Sequence, residues 1–346
     1  MKKHTRREFL GKSLVGAIGA GAALSGLDAL NLLAQKPARP MAGAQQMTAD
    51  GRAFTAGRYA VLLDGGMAGW VQSVEGGHAA ADVASAGIAQ RKHIAGVKYE
   101  DITVSCGTGM SKPMYEWIKS SFDRKYMRKD GAIHTCDYDG NIVSTLEFFH
   151  GLITEVGFPA LDAASKDAAR MTIKISPETA RMVEKRGGRL PAPGALNARQ
   201  KKWLPANFRL EIAGLDCTRV NKVEAITIKQ KVTENPVGEM RAVMKEPAKL
   251  EFPNLAFTVP EQNAAALVAW HKESAMRTRP GNHKPGKLVY LAADGRDPLF
   301  TLTFHNLGIS QVTPDNSGAG SDGVRRLKAE MYCEKIDFEY GDAAVS

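Results

Sequence analysis

Four residues on one short stretch could do chemistry together. His134, Cys136, Asp137 and Asp139 bring an imidazole, a thiol and two carboxylates close along the chain, a set that can hold zinc or another divalent ion. His134 and Cys136, however, stand two apart beside the turn signal Asp139-Gly140-Asn141, so solvated turn residues explain the set without a metal. His150 and His305 recur, each after a Phe in a long apolar run, where an imidazole either acts as a base or is held by a hydrogen bond. Glu75 and Glu224 also recur, each closing a stretch of Val and short polar residues. Such a carboxylate faces solvent or meets a Lys or Arg of a neighbouring subunit. The chain contains no Gly-x-Ser-x-Gly, no His-Glu-x-x-His and no phosphate loop. The expectation is a protein with no catalytic, cofactor-binding or metal-binding residues.

The elements that position these residues occur twice. Tyr59 to Gly77 aligns without a gap on Phe208 to Ile226, sharing Gly65/Gly214, Val71/Val220, Val74/Val223 and Glu75/Glu224 at a separation of 149. Trp117 and Lys119 match Trp270 and Lys272 at 153, and Asp139-Gly140, Phe149-His150 and Leu152 match Asp294-Gly295, Phe304-His305 and Leu307 at 155. Preserved order with a slowly drifting offset predicts two copies of one globular domain. Their expected bounds are 58–178 and 206–341, joined by a Gly/Pro-rich linker over 179–205.

Within each copy, short alternating segments predict strands. Asp64-Gly65-Gly66 is a hairpin turn, and Met171, Ile173 and Ile175 face one way while Arg170, Thr172 and Lys174 face the other. Met114, Trp117, Ile118 and Phe122 make one helical stripe over 111–126, with Ser111 as N-cap and Pro113 in the first turn. Residues 261–276 repeat the device with Leu267, Trp270 and Ala275, and both Trp are expected to pin their helix to the strands. The fold class is mainly β (α+β): two tandem antiparallel β-barrels, each carrying one packed α-helix.

Cys106, Cys136, Cys217 and Cys333 form no Cys-x-x-Cys pair, so a zinc or redox motif is unsupported; two per copy permit one disulfide each, but the positions do not match between copies and core thiols are the preferred reading. The first 44 residues differ from the rest. Thr5-Arg6-Arg7-Glu8-Phe9-Leu10-Gly11-Lys12 fits the twin-arginine export pattern, a weakly apolar stretch follows, and Ala42-Gly43-Ala44 offers a cleavage site. Residues 45–57 read as loose. Export through the twin-arginine translocase to the periplasm or beyond is expected. Without residues 1–44 the charge falls from +9 to 39 Lys/Arg against 35 Asp/Glu, or +4, too small an excess to argue for nucleic-acid binding.

Val71 to Gly77, Lys92 to Val104, the Trp-bearing helix, Asp137 to Asn141, and Phe148-Phe149-His150-Gly151 resemble, in this order, the T4-like phage tail-tube proteins. The tubes of type VI secretion and of extracellular contractile injection systems are relatives of that family. The resemblance covers 58–178. The second copy diverges: Pro253-Asn254-Leu255 stands where Glu100-Asp101-Ile102 does, and Ala225-Ile226 replaces Gly76-Gly77. It implies barrels joined edge to edge into six-position rings, a structural role without enzymatic activity, and injection-system or envelope components as partners. Two copies per chain then imply a homotrimer with pseudo-six-fold symmetry, as tube or as hub. The alternative is a periplasmic binding module or a cofactor-carrying enzyme on the same duplicated scaffold.

Overall fold

A computed structural model describes residues 57–86, 91–184, 187–191, 203–236, 243–276, 282–315 and 324–345. The expected export signal, and the loose segment up to residue 56, lie outside the described residues.

The first half contains β1 (Arg58–Leu63), β2 (Gly66–Val71), β3 (Ser73–Glu75), β4 (Ala79–Ala86), β5 (Arg91–Tyr99), β6 (Ile102–Cys106), helix α1 (Lys112–Phe122), β7 (Lys129–Cys136), β8 (Ile142–Phe158), β9 (Leu161–Asp162), β10 (Met171–Ser176) and β11 (Thr179–Val183). The second contains β12 (Phe208–Ile212), β13 (Lys222–Val223), β14 (Ile226–Pro236), β15 (Val243–Glu251), β16 (Leu255–Pro260), a 3-10 turn (Glu261–Asn263), helix α2 (Ala265–Met276), β17 (Lys284–Leu291), β18 (Pro298–Pro314), β19 (Arg326–Tyr332) and β20 (Lys335–Tyr340).

All strand pairs are antiparallel, and the two halves repeat one another. The first runs β1-β7-β8-β10-β6-β3 with β11 also on β8; the second runs β12-β17-β18-β19-β16-β13 with β20 also on β18. The long strands β8 and β18 each bend to serve two sheets, and each bends at a residue with positive φ: His150 at 52° and Asn306 at 55°. The hairpins β4-β5 and β14-β15 correspond as well. The fold is therefore mainly β, two barrels in tandem, as the alternation predicts.

Core formation follows the alternating pattern. Ile102, Val104 and Cys106 on β6 and Met171, Ile173 and Ile175 on β10 turn inward and are buried, while Thr172 stays exposed. On α1 the buried face is Met114, Trp117, Ile118 and Phe122, extended by Tyr115. Trp117 Nε1 donates to the carbonyl oxygen of Met127 at 2.8 Å, and Trp270 Nε1 does the same to Asn282 at 3.0 Å. Both indoles are buried, so each pins its helix and the chain that follows it.

Several local expectations shift. Ser111 occupies the N-cap position, but its side chain makes no capping bond, and its backbone N–H donates to Ala68 instead. Helix α1 stops at Phe122 because Arg124 adopts φ 59°, outside helical space. Thr179–Val183, placed in the linker by composition, is strand β11, since its backbone finds a ladder along Phe149 to Thr145 of β8. The segment Trp70 to Glu75 is divided between β2 and β3. The ladder partner changes from β1 to β6 at Gln72, whose N–H donates to Ser105. The match of His150 with His305 is one residue out of register. Gly131 faces Phe148 and Gly286 faces Phe304, so Phe148 corresponds to Phe304 and His150 to Asn306.

Candidate functional site

The residues with chemical potential do not converge. His134 Nδ1 lies 2.7 Å from Thr145 Oγ1 across the β7-β8 ladder, and Cys136 is buried beside it. Asp137 accepts hydrogen bonds from the N–H of Asp139 and Asn141 and from Asn141 Nδ2, which hold its carboxyl below the usual range and tie the turn. Among the described residues no three His, Cys, Asp or Glu side chains are grouped to hold a metal ion. His150 stands near Glu178, 3.5 Å from Nδ1 to Oε2, whereas His305 Nε2 lies 2.6 Å from Asp337 Oδ2, so the two histidines do unrelated things. Glu224 pairs with Lys222 and Lys328 of its own barrel, and Glu75 is exposed. All four cysteines are free; burial pushes the Cys106 thiol up to about 12. A cavity of about 690 Å³ opens beside β12, where the second barrel lacks a counterpart of β2 among the described residues; Arg209, Glu211, Asp216, Cys217 and Lys287 line it, with Arg209 paired to Glu211 at 2.7 Å.

The distinctive geometry is the seam where the barrels meet. The C-terminal part of β8 carries β10 on one side and, on the other, β14 of the second barrel, with Ile226 opposite Phe158 and Lys229 opposite Glu155. Just beyond, β9 pairs with β13, so each of the two sheets takes in a strand from the other half of the chain. On the side that faces the other barrel, β8 and β14 have no partner from their own barrel, and pairing satisfies backbone groups that a sheet edge would leave open.

Side chains reinforce the ladder. Lys245 on β15 is only 7% exposed; its Nζ donates to Ser176 Oγ at 2.8 Å and lies 3.9 Å from Asp101, and its N–H donates to Glu178 at 3.1 Å. Arg128 closes the group by donating to the Lys245 carbonyl at 2.7 Å. A buried ammonium is tolerable only with such partners. Lys229 pairs with Glu155 at 3.8 Å. Behind the ladder, Tyr115 of α1 meets Phe300 and Tyr340 at ring separations of 5.5 and 5.3 Å, and Phe122 meets Phe338 at 5.5 Å. Helix α1 is thus sealed between two barrels.

Three surfaces used at the seam have counterparts that are open among the described residues. The hairpin β4-β5 corresponds to the docked β14-β15 but pairs with nothing except itself among the described residues, and Val83 and Ile94 on it are 63% and 58% exposed. Gln311 and Pro314 of β18, which correspond to Glu155 and Phe158, are exposed along the edge opposite β19. Met182 of β11 is 52% exposed, whereas its counterpart Phe338 is 1% exposed under α1. The hairpin β4-β5 leaves β3 through Gly76 and Gly77, both at φ 82°; a Cβ at Gly76 would stand 2.0 Å from the Asp101 carbonyl oxygen. Ala225 and Ile226, at the same places in the docked hairpin, need no such backbone. None of this was legible from residue types, because it depends on which edge finds which partner.

The chain is a protein of tandem antiparallel β-barrels, each with one helix, joined laterally by strand pairing. Residues 55–181, which span the first barrel, match the family described as T4-like virus tail tube protein gp19. Among solved structures the chain is similar to Hcp1 from Flavobacterium johnsoniae, with 19% identity over 38% of this chain and 99% of that one and a TM-score of 0.29. It is also similar to a chain of the PVC sheath-tube complex of an extracellular contractile injection system, with 14% identity, 39% and 88% coverage and a TM-score of 0.33. A third is a chain of the anti-feeding prophage baseplate, with 13% identity, 38% and 91% coverage and a TM-score of 0.31. No curated protein matches the chain.

Proposed function

We propose that this chain is a structural tube protein whose two barrels, 58–178 and 206–341, occupy neighbouring positions of a ring. Three chains close that ring with pseudo-six-fold symmetry, by adding strands edge to edge. The observation that carries this reading is the seam: one barrel already receives the hairpin of the next through β8 and β14, while the equivalent hairpin and the equivalent edge at the two ends stay open. A contact that joins unlike surfaces repeats head to tail, and it must close into a ring or run on as a filament. The protein acts by assembly rather than by catalysis, with other injection-system or envelope components as partners. The twin-arginine pattern at Arg6-Arg7 sends it folded to the periplasm or outside the cell.

Light scattering across a concentration series, with negative-stain imaging, tests the assembly. Trimeric rings are expected, and a strict monomer at high concentration or a closed dimer rejects them. Replacing Arg6-Arg7 by Lys-Lys should retain the protein in the cytoplasm, and normal export of that variant rejects the route.

A further inference from the structure

The seam inside the chain also specifies a key for the contact between chains. We propose that Lys92 of one copy anchors the joint to the next copy by entering a site built from Asn254, Tyr332 and Glu334 of that next copy. The inference rests on the ring reading above and names the residue pair that sets its joint.

The correspondence follows from strand register. Each hairpin has its irregularity at the same place, after Asp82 in one and after Gln230 in the other. Beyond it Val83 faces Ile94 and Val232 faces Pro247; two residues further, Ser85 faces Lys92 and Glu234 faces Lys245. Lys92 is therefore the counterpart of Lys245. The one is exposed on an undocked hairpin; the other is buried on a docked one.

The receiving residues correspond in the same way. Thr172 and Lys328 hold equivalent ladder positions opposite Gly157 and Thr313, which places Ser176 with Tyr332 and Glu178 with Glu334. Asp101 and Asn254 each directly precede the strand that pairs with β10 or β19. Glu178 is approached by His150, and Glu334 accepts from Asn306 Nδ2 at 2.6 Å, so the bulge residue steadies the same carboxylate in both barrels. Asn254, Tyr332 and Glu334 are all exposed at the open end of the chain. A lysine without its carboxylate and a carboxylate without its lysine thus stand at opposite ends of one molecule. A second copy supplies each to the other.

The chemistry also distinguishes the two joints. Asn254 replaces a carboxylate with a neutral amide, and Ala80 with Gln311 stands where Lys229 pairs with Glu155 in the seam. Glu334 is then the one acidic group in the receiving set for the Lys92 ammonium, and the joint between chains depends on that pair.

A charge exchange on the full chain tests this, with light scattering over a concentration series at constant low salt. Lys92→Glu and Glu334→Lys should each raise the midpoint concentration of assembly by at least about tenfold. The double variant K92E/E334K should return within about threefold of the wild type, as a restored pair does. Thermal melts of the single variants should match the wild type below the assembly concentration, because both side chains are exposed. Single variants that assemble normally overturn this inference and leave the ring reading standing; so does a double variant no better than the singles. A wild-type chain that never assembles overturns both.

Discussion

Lys245 of the second barrel hydrogen-bonds Ser176 of the first through an ammonium almost wholly removed from water. Its other neighbours, Asp101 and Glu178, also belong to the first barrel, so the seam is held by a cation from one side among acceptors from the other. Lys245→Glu would set a carboxylate against two others. It should cost about 3–5 kcal/mol in urea unfolding, whereas Lys245→Met, which keeps the volume, should cost about 1–2 kcal/mol. Equal losses for the two variants would mean that volume, not charge, holds the seam.

Trp117 and Trp270 each fill the space under a helix and end on a carbonyl of the following loop. Truncation of either to Ala should destabilise the fold by ~3–5 kcal/mol in equilibrium denaturation. Trp117→Phe, which retains most of the volume and loses the bond to Met127, should cost about 1–2 kcal/mol. A loss under about 1 kcal/mol for either Ala variant would contradict the packing described.

Val83, Ile94 and Met182 are the apolar side chains that docking would cover. Replacing Val83 by Thr, Ile94 by Thr and Met182 by Gln should change the stability of the unassembled chain by no more than about 0.5 kcal/mol each. The same triple change should weaken assembly at least about tenfold, read by sedimentation at several concentrations. Unaltered assembly would place the contact elsewhere on the molecule.

Asp137 ties its turn through hydrogen bonds from Asn141, Asp139 and Gly140 that lower its carboxyl below the unfolded value of ~3.9. A folded pKa below the unfolded one stabilises the fold above the unfolded value, and that contribution disappears as pH falls through the folded one. The gap in melting temperature between wild type and Asp137→Ala should therefore be widest near neutrality and shrink below pH ~3.9. A gap that stays constant into acid would assign the effect to the turn's shape alone.

The alternation of Met171, Ile173 and Ile175, the Trp stripe on α1 and the turn at Asp64-Gly65 were all legible in the sequence, because each is a local pattern with a local cause. The duplication was legible too, although the count through β8 slipped by one at His150, since the turn 292–297 between β17 and β18 is one residue longer than the turn 137–141 between β7 and β8, and residue types do not mark where the added residue falls. The seam was not. Alternation along β8 and β14 says which face is apolar but not that Phe158 will meet Ile226, and that choice depends on which open edge lies nearest in the folded chain. Lys245 gave no signal either. Lysine is among the commonest surface residues, and its burial becomes apparent only when Asp101, Ser176 and Glu178 arrive from the other barrel.

The peptide link between the barrels also divides the joints by how they respond to dilution. Phe158 and Ile226 are held within reach of each other by the chain itself, which acts as a local concentration fixed on the order of millimolar for short tethers. Their ladder closes at any amount of protein, whereas a contact made by the open hairpin on another molecule obeys mass action. In the ring proposed above, duplication thereby converts every other junction from a reversible encounter into a permanent one. On the proposed pairing of Lys92 with Glu334, substitutions at either residue tune when the chains come together without loosening Lys245, so a single polypeptide would carry one joint that is fixed and one that remains adjustable.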